Sequence, residues 1–213
     1  MKSRPILFSA PMVRAIIEGR KTMTRRVVKL PKALAAGNLS NAIADQMHGV
    51  TPGLHIPMPD GSTQRLRNPW GWPEPSQLWV RETCRAEELP SGLDGVRYAA
   101  DGAFRETENT RDAAEAWIKL NYYRGGKGLT VPTIHMPRWA SRITLEITGM
   151  RVERLNEISG ADCIAEGIIE AEAPQYAFGL HEAYQDLWES INGPGSWYVT
   201  PWVWVIEFAV VKP

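Results

Sequence analysis

Four stretches of the chain carry the apolar patterns of β-strands. Residues 77–83 and 141–154 alternate apolar and polar side chains, as half-buried strands do. Residues 202–208 are almost continuously apolar, which is typical of a strand that is buried on both faces. Residues 5–8 form a shorter apolar run. Since residues 5–8 and 202–208 lie near the two termini, we expect these two strands to pair with each other.

Apolar residues recur at helical spacing in four places. Serine N-caps and C-terminal glycines bound two of these helices. The four predicted helices lie between Ser9 and Gly19, from Arg111 to Leu120, between Ser159 and Gly167, and from Leu180 to Ile191. In the third helix we expect Ile164 to face the core and Glu166 to lie at the C-terminal end.

Two segments, at about 30–75 and 87–138, interrupt this series of elements. The first is rich in proline and glycine, which leave little room for long regular structure. The second contains the helix that begins at Arg111 and a glycine-rich stretch at 125–128. The pattern therefore predicts an α+β fold in which residues 1–213 form a single domain with two loop-rich insertions.

Composition limits the classes of protein that fit. The 213-residue chain has 24 lysines and arginines and 24 aspartates and glutamates, so no global basic field indicates a nucleic-acid polymer as ligand. Its two cysteines are too few for a disulfide framework and too far apart for a Cys-x-x-Cys metal site. No apolar run approaches the roughly 20 residues that cross a bilayer. We expect a monomeric, cytoplasmic protein with no membrane partner, no metal and no cofactor.

Basic residues concentrate near the start of the chain, in the run Gly19–Arg26. A hydroxyl, Thr24, follows a lysine, Lys21, by three residues in this run. In an extended chain Lys21 and Thr24 would point to opposite faces, so they can act together only where the backbone is bent or helical. Alternatively, the run is a solvated turn. The arginines that surround the pair are Arg20, Arg25 and Arg26.

The predicted strand at 77–83 also carries a charge that needs a partner. Arg81 and Glu82 are neighbours in the strand, so they point to opposite faces and one of them faces inward. An inward Glu82 requires a cation, because an unpaired buried carboxylate is costly. The basic run Gly19–Arg26 is a candidate source of that cation.

The run Gly19–Arg26 resembles the Gly-x-Lys-x-x-x-x-Arg signature of the ASCH family, whose members look like PUA domains, small mixed β-barrels with short flanking helices. Three further matches follow in order. They are the strand Gln77–Val80, the helix end Ala165-Glu166-Gly167 and the closing strand Val205–Phe208. The whole chain is similar to the longer ASCH proteins of phages and prophages. The resemblance therefore implies a PUA-like barrel that carries the two insertions.

Within this family, the resemblance implies the activity of bacterial N4-acetylcytidine amidohydrolases, which remove an acetyl group from a cytosine amine. Their catalytic residues match Lys21, Thr24 and Glu166. In such a reaction Thr24 attacks the acyl carbon, Lys21 takes its proton, and Glu166 protonates the departing amine. A carboxylate at the C-terminal end of a helix is disfavoured by the helix dipole, which makes Glu166 a candidate general acid. The expected substrate is a modified pyrimidine nucleoside or nucleotide, or RNA that contains one.

The protonation state of Lys21 is open at this point. An ordinary lysine has a pKa of about 10.4 and is charged at neutral pH. Burial and the neighbouring positive charges of Arg20, Arg25 and Arg26 would lower the pKa of Lys21 and free the amine to act as a base. Alternatively, Lys21 stays charged and binds an oxyanion or a phosphate, as it would in a plain binding module.

A second hypothesis is a PUA-like module that binds RNA or single-stranded nucleic acid without catalysis. Its basic residues would be Arg20, Arg25, Arg26 and Arg138, and Trp139 would stack on a base. His135, Arg138 and Trp139 lie within five residues and are stiffened by Pro137. Trp139 fits equally well as the start of a core strand. A ribonuclease, with His135 as its acid-base residue, is a third and weaker hypothesis.

Overall fold

The structure is a computed structural model that describes residues 2–45, 52–71, 76–169 and 179–211. Its strands are β1 Lys2–Leu7, β2 Met23–Val27, β3 Ile43–Ala44, β4 Gly53–Pro57, β5 Thr63–Arg67, β6 Ser76–Arg81, β7 Cys84–Glu88, β8 Asp94–Tyr98, β9 Phe104–Glu106, β10 Thr144–Arg154 and β11 Trp202–Val210. Its α-helices are α1 Ala10–Ile17, α2 Arg111–Asn121, α3 Gly160–Ala165 and α4 Leu180–Asn192.

The described strands form three open sheets and no closed barrel. The largest sheet has the strand order β1-β6-β10-β11-β2, and the other two are β3-β4-β5 and β7-β8-β9. The predicted α+β class is confirmed, and the barrel is not found among these strands. The predicted pairing of the terminal strands is wrong, because β2, which contains the second half of the basic run, takes the place beside β11 while β1 pairs with β6.

Both predicted insertions are more regular than expected. In the first insertion, strands β3, β4 and β5 form an antiparallel sheet, in which Leu54 and Ile56 of β4 are fully buried. Residues 84–106 form the antiparallel sheet β7-β8-β9. Each predicted insertion thus includes strands of a small sheet that the sequence pattern did not predict. These strands have at most five residues, and β5 is polar and largely exposed, so hydrophobic periodicity gave no signal for them.

The chain divides into two compact units. Unit 1 comprises Met1–Lys2, Gly19–Ser76 and Glu146–Ala209, and unit 2 comprises Ser3–Glu18, Gln77–Leu145 and Val210–Pro213. Each unit is thus assembled from segments that are distant in the sequence. None of the described helices is long and apolar enough to cross a bilayer.

Strand β11 lies at the centre of unit 1, because both of its faces are buried. Val203 and Val205 belong to a core cluster with residues of β2, α3 and α4, including Cys163. Trp202 and Trp204 point to the other face and join a second cluster with residues of β4 and β10. The continuous apolar character of residues 202–208 therefore reflects burial on both sides, as predicted.

The core of unit 2 joins helix α2 to the sheet β7-β8-β9. Trp117 and Leu120 of α2 are buried in one cluster with Cys84 and Tyr98 of the sheet. The Trp117 indole N–H donates to Gly95 O at 2.8 Å, so the ring is both packed and hydrogen-bonded. Neighbouring residues of α2, among them Asp112, Ala116 and Lys119, line a surface groove.

Candidate active site

Helix α3 positions two acidic residues of the site, Asp162 within the helix and Glu166 at its C-cap. Its N-cap, Ser159, accepts a hydrogen bond from the Asp162 N–H at 3.1 Å, as predicted. The prediction for Ile164 is wrong, because its side chain is 41% exposed and Cys163, at 0%, enters the core instead. A helix of six residues buries only a narrow stripe, so a shift of one position decides which residue is inside.

The C-terminal end of α3 is closed by a glycine. Glu166 is the C-cap, and Gly167 has a φ of 100°, in the left-handed region that favours glycine. The Gly167 N–H donates to Ile164 O, and the Ile168 N–H donates to Cys163 O. These are the two hydrogen bonds of a Schellman motif. The motif ends the helix and fixes the backbone that carries the Glu166 carboxylate.

Lys21 reaches the same helix end from the start of β2. The Thr22 N–H donates to Ala165 O at 2.9 Å, whereas Thr22 O still accepts from the Phe208 N–H of β11. At Thr22 the hydrogen-bond partner of the backbone therefore changes from β11 to the end of α3. Lys21 Nζ lies 2.8 Å from Glu166 O and 2.6 Å from Glu166 Oε2. The lysine and the glutamate assigned to catalysis by the resemblance are thus in direct contact.

The pair formed by Lys21 and Glu166 is shielded from solvent. Lys21 is 1% exposed and Glu166 is 3% exposed. Burial lowers the pKa of Lys21, and this effect outweighs the opposing attraction of Glu166, while the charges of Arg26 and Arg25 lower the pKa further. A lowered pKa is what a general base requires, because only a neutral amine can accept a proton.

Arg25 lies at the centre of the charged groups beside this pair. Its guanidinium donates to Glu153 Oε1 at 2.7 and 3.1 Å, to Asp162 Oδ2 at 2.7 Å and to Glu166 Oε1 at 3.3 Å. The Arg25 side chain is fully buried. It therefore holds carboxylates inside the protein, and the phosphate-contacting role predicted for Arg25 does not fit this geometry.

Arg151 of β10 completes the arrangement. It donates to Glu153 Oε2, Asp162 Oδ2 and Glu207 Oε1, each at 2.7 Å. Burial acts to raise the pKa of Asp162, but Arg151 and Arg25 outweigh burial and hold this pKa below its ordinary value. We call this group the charge network. Its members are Lys21, Arg25, Arg151, Glu153, Asp162, Glu166 and Glu207.

The β2-β11 register explains why these charges share one face. Arg25 is opposite Val205, and Met23 is opposite Glu207, so all four residues point to the side on which α3 and α4 pack. Sequence reasoning missed Arg151, Glu153 and Glu207 as members of the site. One signal was present, because a charged residue at 207 interrupts an otherwise apolar run.

Tyr184 of α4 is a further residue that sequence reasoning missed. Its hydroxyl donates to Glu166 Oε1 at 3.3 Å, and its ring packs edge-on against Trp197. Burial, with the negative charge of Glu166, raises the pKa of Tyr184 well above its ordinary value, although Arg25 opposes this. The phenol therefore stays protonated and serves as a hydrogen-bond donor to the glutamate.

Thr24 is 2% exposed and lies within β2, opposite Ile206 of β11. The alternation of the strand directs Thr24 and Arg26 to one face and Met23 and Arg25 to the other. Lys21 precedes the strand, at the point where the backbone changes its hydrogen-bond partner. Lys21 therefore lies outside the regular alternation of β2. The role of Thr24 as nucleophile stays a prediction.

The remaining arginines of the basic run differ in their surroundings. Arg20 is exposed, and its Nη1 donates to Gly167 O at 3.2 Å, just beyond the end of α3. Burial lowers the pKa of Arg26, although Glu166 and Tyr184 oppose this effect. Arg26 thus contributes positive charge near Glu166, which fits the predicted role of the arginines in lowering the pKa of Lys21.

Glu82 belongs to a separate buried ion pair in unit 2. It is 1% exposed, so the inward orientation considered from the sequence is confirmed. Arg142 binds it with two parallel hydrogen bonds, of 2.8 and 3.0 Å. Arg142 also binds Asp101 at 2.8 and 2.9 Å and lies 4.1 Å from the centre of the Tyr98 ring. The structure therefore supplies a cation that the sequence did not identify.

The residues of the predicted stacking surface lie in unit 2. His135 and Trp139 line one surface groove together with Tyr123, which lies in the 3₁₀ turn that follows α2. Arg138 is exposed between them. The structure thus brings the histidine and the tryptophan to one concave surface, and Trp139 also packs against the core cluster of unit 2. Trp139 lies in the 3₁₀ turn Arg138–Ala140 and β10 begins only at Thr144, so Trp139 contacts the core but does not start a strand. Its stacking role stays a prediction.

Within residues 2–45, 52–71, 76–169 and 179–211, no three histidine, cysteine, aspartate or glutamate side chains are grouped so as to hold a metal ion. Comparison with known proteins found no family model, no curated protein and no solved structure that matches the chain.

Proposed function

We propose that the chain is a hydrolase that removes an acyl group from the exocyclic nitrogen of a modified pyrimidine, with N4-acetylcytidine as the reference substrate. The observation that carries this proposal is the buried contact of 2.6 Å between Lys21 Nζ and Glu166 Oε2. Amide cleavage needs one proton removed and one delivered, and a short base-to-acid contact suits both transfers. We also propose membership of the ASCH family and a PUA-like architecture, on the resemblance alone.

Lys21 is the general base in this proposal. Burial lowers the pKa of Lys21 in the folded protein, and Arg26 and Arg25 add to this effect against the attraction of Glu166. A neutral Lys21 takes the proton of the Thr24 hydroxyl while the Thr24 oxygen forms a bond to the acyl carbon. The Thr22 N–H donates to α3 and not to β11, so Lys21 does not have to follow the alternation of side chains in β2. This supports the assignment.

Glu166 is the general acid. The proton passes from Lys21 across the short contact to Glu166, which delivers it to the exocyclic nitrogen as the carbon–nitrogen bond breaks. The pyrimidine then leaves with a free amino group, and the acyl group remains on Thr24 as an ester. Water hydrolyses this ester, which releases a carboxylic acid and restores the Thr24 hydroxyl. Each proton taken from Thr24 or water is thus accounted for in a product.

The surrounding residues hold Glu166 in one orientation. Arg25 and Tyr184 donate to Oε1, both at 3.3 Å, which leaves Oε2 directed at Lys21. Side chains that are locked by packing and hydrogen bonds maintain the geometry that proton transfer needs. Arg25 and Tyr184 are therefore positioning residues in this proposal, and neither is assigned a contact with substrate.

The proposal includes a reducing, cytoplasmic setting. Cys84 and Cys163 are both free and buried. Free thiols persist in compartments where glutathione keeps them reduced. Free nucleosides and RNA both occur in such a compartment, so the choice between them is left to the assay.

A nucleic-acid-binding module is the second candidate, and one observation favours it. His135 and Trp139 line a common groove, as a base-stacking surface requires. Against this candidate, the burial of Arg25 removes one of the phosphate contacts predicted for a binding module. This candidate predicts affinity for RNA that falls steeply with salt, without any chemical change in the RNA.

The test is incubation of the purified protein with N4-acetylcytidine and with RNA that contains it, followed by chromatography for deacetylated product. We expect Thr24→Ala, Lys21→Met and Glu166→Gln each to reduce kcat at least about a hundredfold. Circular dichroism and urea unfolding establish that each variant is folded.

Three exposed residues provide matched controls. Thr22→Ala, Lys29→Met and Glu146→Gln remove the same functional groups from exposed positions, and each should retain the wild-type rate. Full activity of the Thr24→Ala variant would exclude Thr24 as the nucleophile. Absence of product with folded wild-type protein, together with salt-dependent RNA binding, would favour the binding module.

A further inference from the structure

Unit 2 carries an extended groove along helix α2, which the proposed hydrolase does not use. Three neighbouring clefts, with volumes of about 540, 550 and 260 Å³, make up this groove. The first two share Asp112, Ala116 and Trp139, and the last two share residues 106–108 and Thr110. Because adjacent clefts share walls, we treat them as one surface and call it the α2 groove.

The charged residues that line the α2 groove are mostly acidic. The carboxylates are Asp94, Glu106, Glu108, Asp112 and Glu115. Glu115 also forms an i,i+4 ion pair with Arg111, at 3.1 Å, but both side chains are more than half exposed. Such a pair contributes little and exchanges readily with solvent and ligands.

The cations that line the groove do not balance these acids. Lys119 and Arg105 are the basic residues in its walls, besides His135. The Arg105 guanidinium is already engaged, since it donates to Ser141 O at 2.9 Å and to Trp139 O at 2.5 Å. The groove therefore presents an excess of negative charge to a ligand.

Aromatic rings occupy the middle and one end of the groove. Trp139 lines both of the larger clefts and is only partly buried, so its ring is accessible from the groove. Tyr123 and His135 form a tilted ring pair, with centroids 5.7 Å apart, in the first cleft. An aromatic face between carboxylates is a favourable environment for a guanidinium, which can stack on the ring and bind a carboxylate with its edge.

We propose that the α2 groove binds an arginine-rich peptide segment of a partner protein. The occupant is identified by charge complementarity, because five carboxylates along an elongated surface match a row of cations. The elongated shape suits an extended chain, and Trp139 provides a stacking position for one arginine. This inference is independent of the chemistry at Lys21.

The same observations disfavour a nucleic acid in this groove. Trp139, Tyr123 and His135 are suitable for base stacking. A strand bound there would bring its phosphates close to Glu106, Glu108 and Asp112, and like charges repel. Stacking alone does not distinguish a base from a guanidinium, but the charge of the walls does.

The experiment is fluorescence anisotropy with a fluorescein-labelled oligo-arginine peptide and the full-length protein. We expect binding that weakens as salt is raised, because the attraction is electrostatic. The triple variant Glu106→Gln, Glu108→Gln, Asp112→Asn should bind about tenfold more weakly than wild type. Trp139→Leu should weaken binding about threefold. Circular dichroism monitors folding of the Trp139 variant, since this ring also contacts the core of unit 2.

The control is a triple variant at exposed carboxylates that do not line the groove, namely Glu18→Gln, Asp60→Asn and Glu146→Gln. It should bind like wild type and excludes a general effect of net charge. Equal affinity of the groove variant and the control variant would overturn the proposal. The proposal would also be overturned if a labelled single-stranded oligonucleotide bound wild type more tightly than the peptide does and lost this affinity in Trp139→Leu.

Discussion

Lys21 serves two purposes at one helix end. Its Nζ donates to Glu166 O, one of the carbonyls that the end of a helix leaves without an intrahelical partner, and it also contacts the Glu166 carboxylate. The first contact is structural and holds the side chain against the end of the helix. The second places a proton acceptor against a proton donor. A buried lysine therefore acts as a helix cap before any substrate is bound.

We expect the substitution Lys21→Met to change how stability depends on pH. Burial lowers the pKa of Lys21 in the folded protein below the ordinary value of about 10.4. Between the folded and unfolded pKa values, the unfolded chain binds more protons than the folded protein. The free energy of unfolding of wild type therefore rises with pH across this window, relative to the variant. Urea unfolding of both proteins at about pH 6, 8 and 10 measures the difference.

The control for this prediction is Lys29→Met. Lys29 is exposed, so it is solvated in both the folded and the unfolded state, and its removal should leave the pH dependence unchanged. If the stability difference between wild type and Lys21→Met were flat or falling with pH, the lowered pKa of Lys21 would be refuted. The general-base assignment would then lose its physical support.

At the scale of elements, the end of α3 depends on Gly167. We expect Gly167→Ala to lower the free energy of unfolding by about 1 kcal/mol, because a φ of 100° is strained for a residue with a Cβ atom. Strain relieved by a local change of backbone would also displace Glu166, the preceding residue. Urea unfolding measures the loss of stability, and the deacetylation assay measures the displacement.

Gly160→Ala provides the matched comparison at the other end of α3. An added Cβ at Gly160 would meet Leu180 Cδ1 at 3.6 Å, which is an ordinary contact. Alanine is also a better helix former than glycine. This variant should be as stable as wild type or slightly more stable. Equal losses at Gly160 and Gly167 would mean that the backbone conformation is not the cause.

The longer elements could be predicted from the sequence because their patterns are local. Helix α2 was predicted at 111–120 and begins at Arg111, and helix α4 was predicted at 180–191 and begins at Leu180. The short strands of β3-β4-β5 and β7-β8-β9 could not be predicted, because their stability comes from neighbouring strands and from a core that the local sequence does not reveal.

The site was less accessible to sequence reasoning for a similar reason. Lys21 and Glu166 are 145 residues apart, and Arg25 and Glu153 are 128 residues apart. Spacing carries no information on contacts at such separations, so the family resemblance alone joined Lys21 to Glu166. Nothing comparable joined Arg25 to its carboxylates, and the sequence favoured an exposed arginine.

At the scale of the whole molecule, two compact units are interleaved along one chain. Segments from both halves of the sequence enter each unit, and β10 and β11 each contribute residues to both. The sequence predicted one domain with two insertions, and this stays a prediction. The division into two compact units is a separate observation. Composition and periodicity do not record which distant segments pack together, so this division was not open to prediction.

The two cysteines allow the opening of each unit to be followed by thiol alkylation. Cys84 lies in unit 2 and Cys163 in unit 1, and they are 1% and 0% exposed. Burial raises the pKa of Cys84 to about 12 and that of Cys163 to about 11, so neither presents a reactive thiolate while its unit is folded. We expect alkylation of both thiols at about pH 8 to be at least a thousandfold slower than in urea.

Mass spectrometry of alkylated wild-type protein can therefore assign a separate opening rate to each unit without any engineered label. Rapid alkylation of either thiol in native buffer would contradict the burial described for its unit. Equal rates across a urea series would mean that the two units open in one cooperative event, whereas different rates would rank their stabilities. Because the chain contains only two cysteines and each unit holds one of them, the alkylation rate of each thiol reports the opening of one unit.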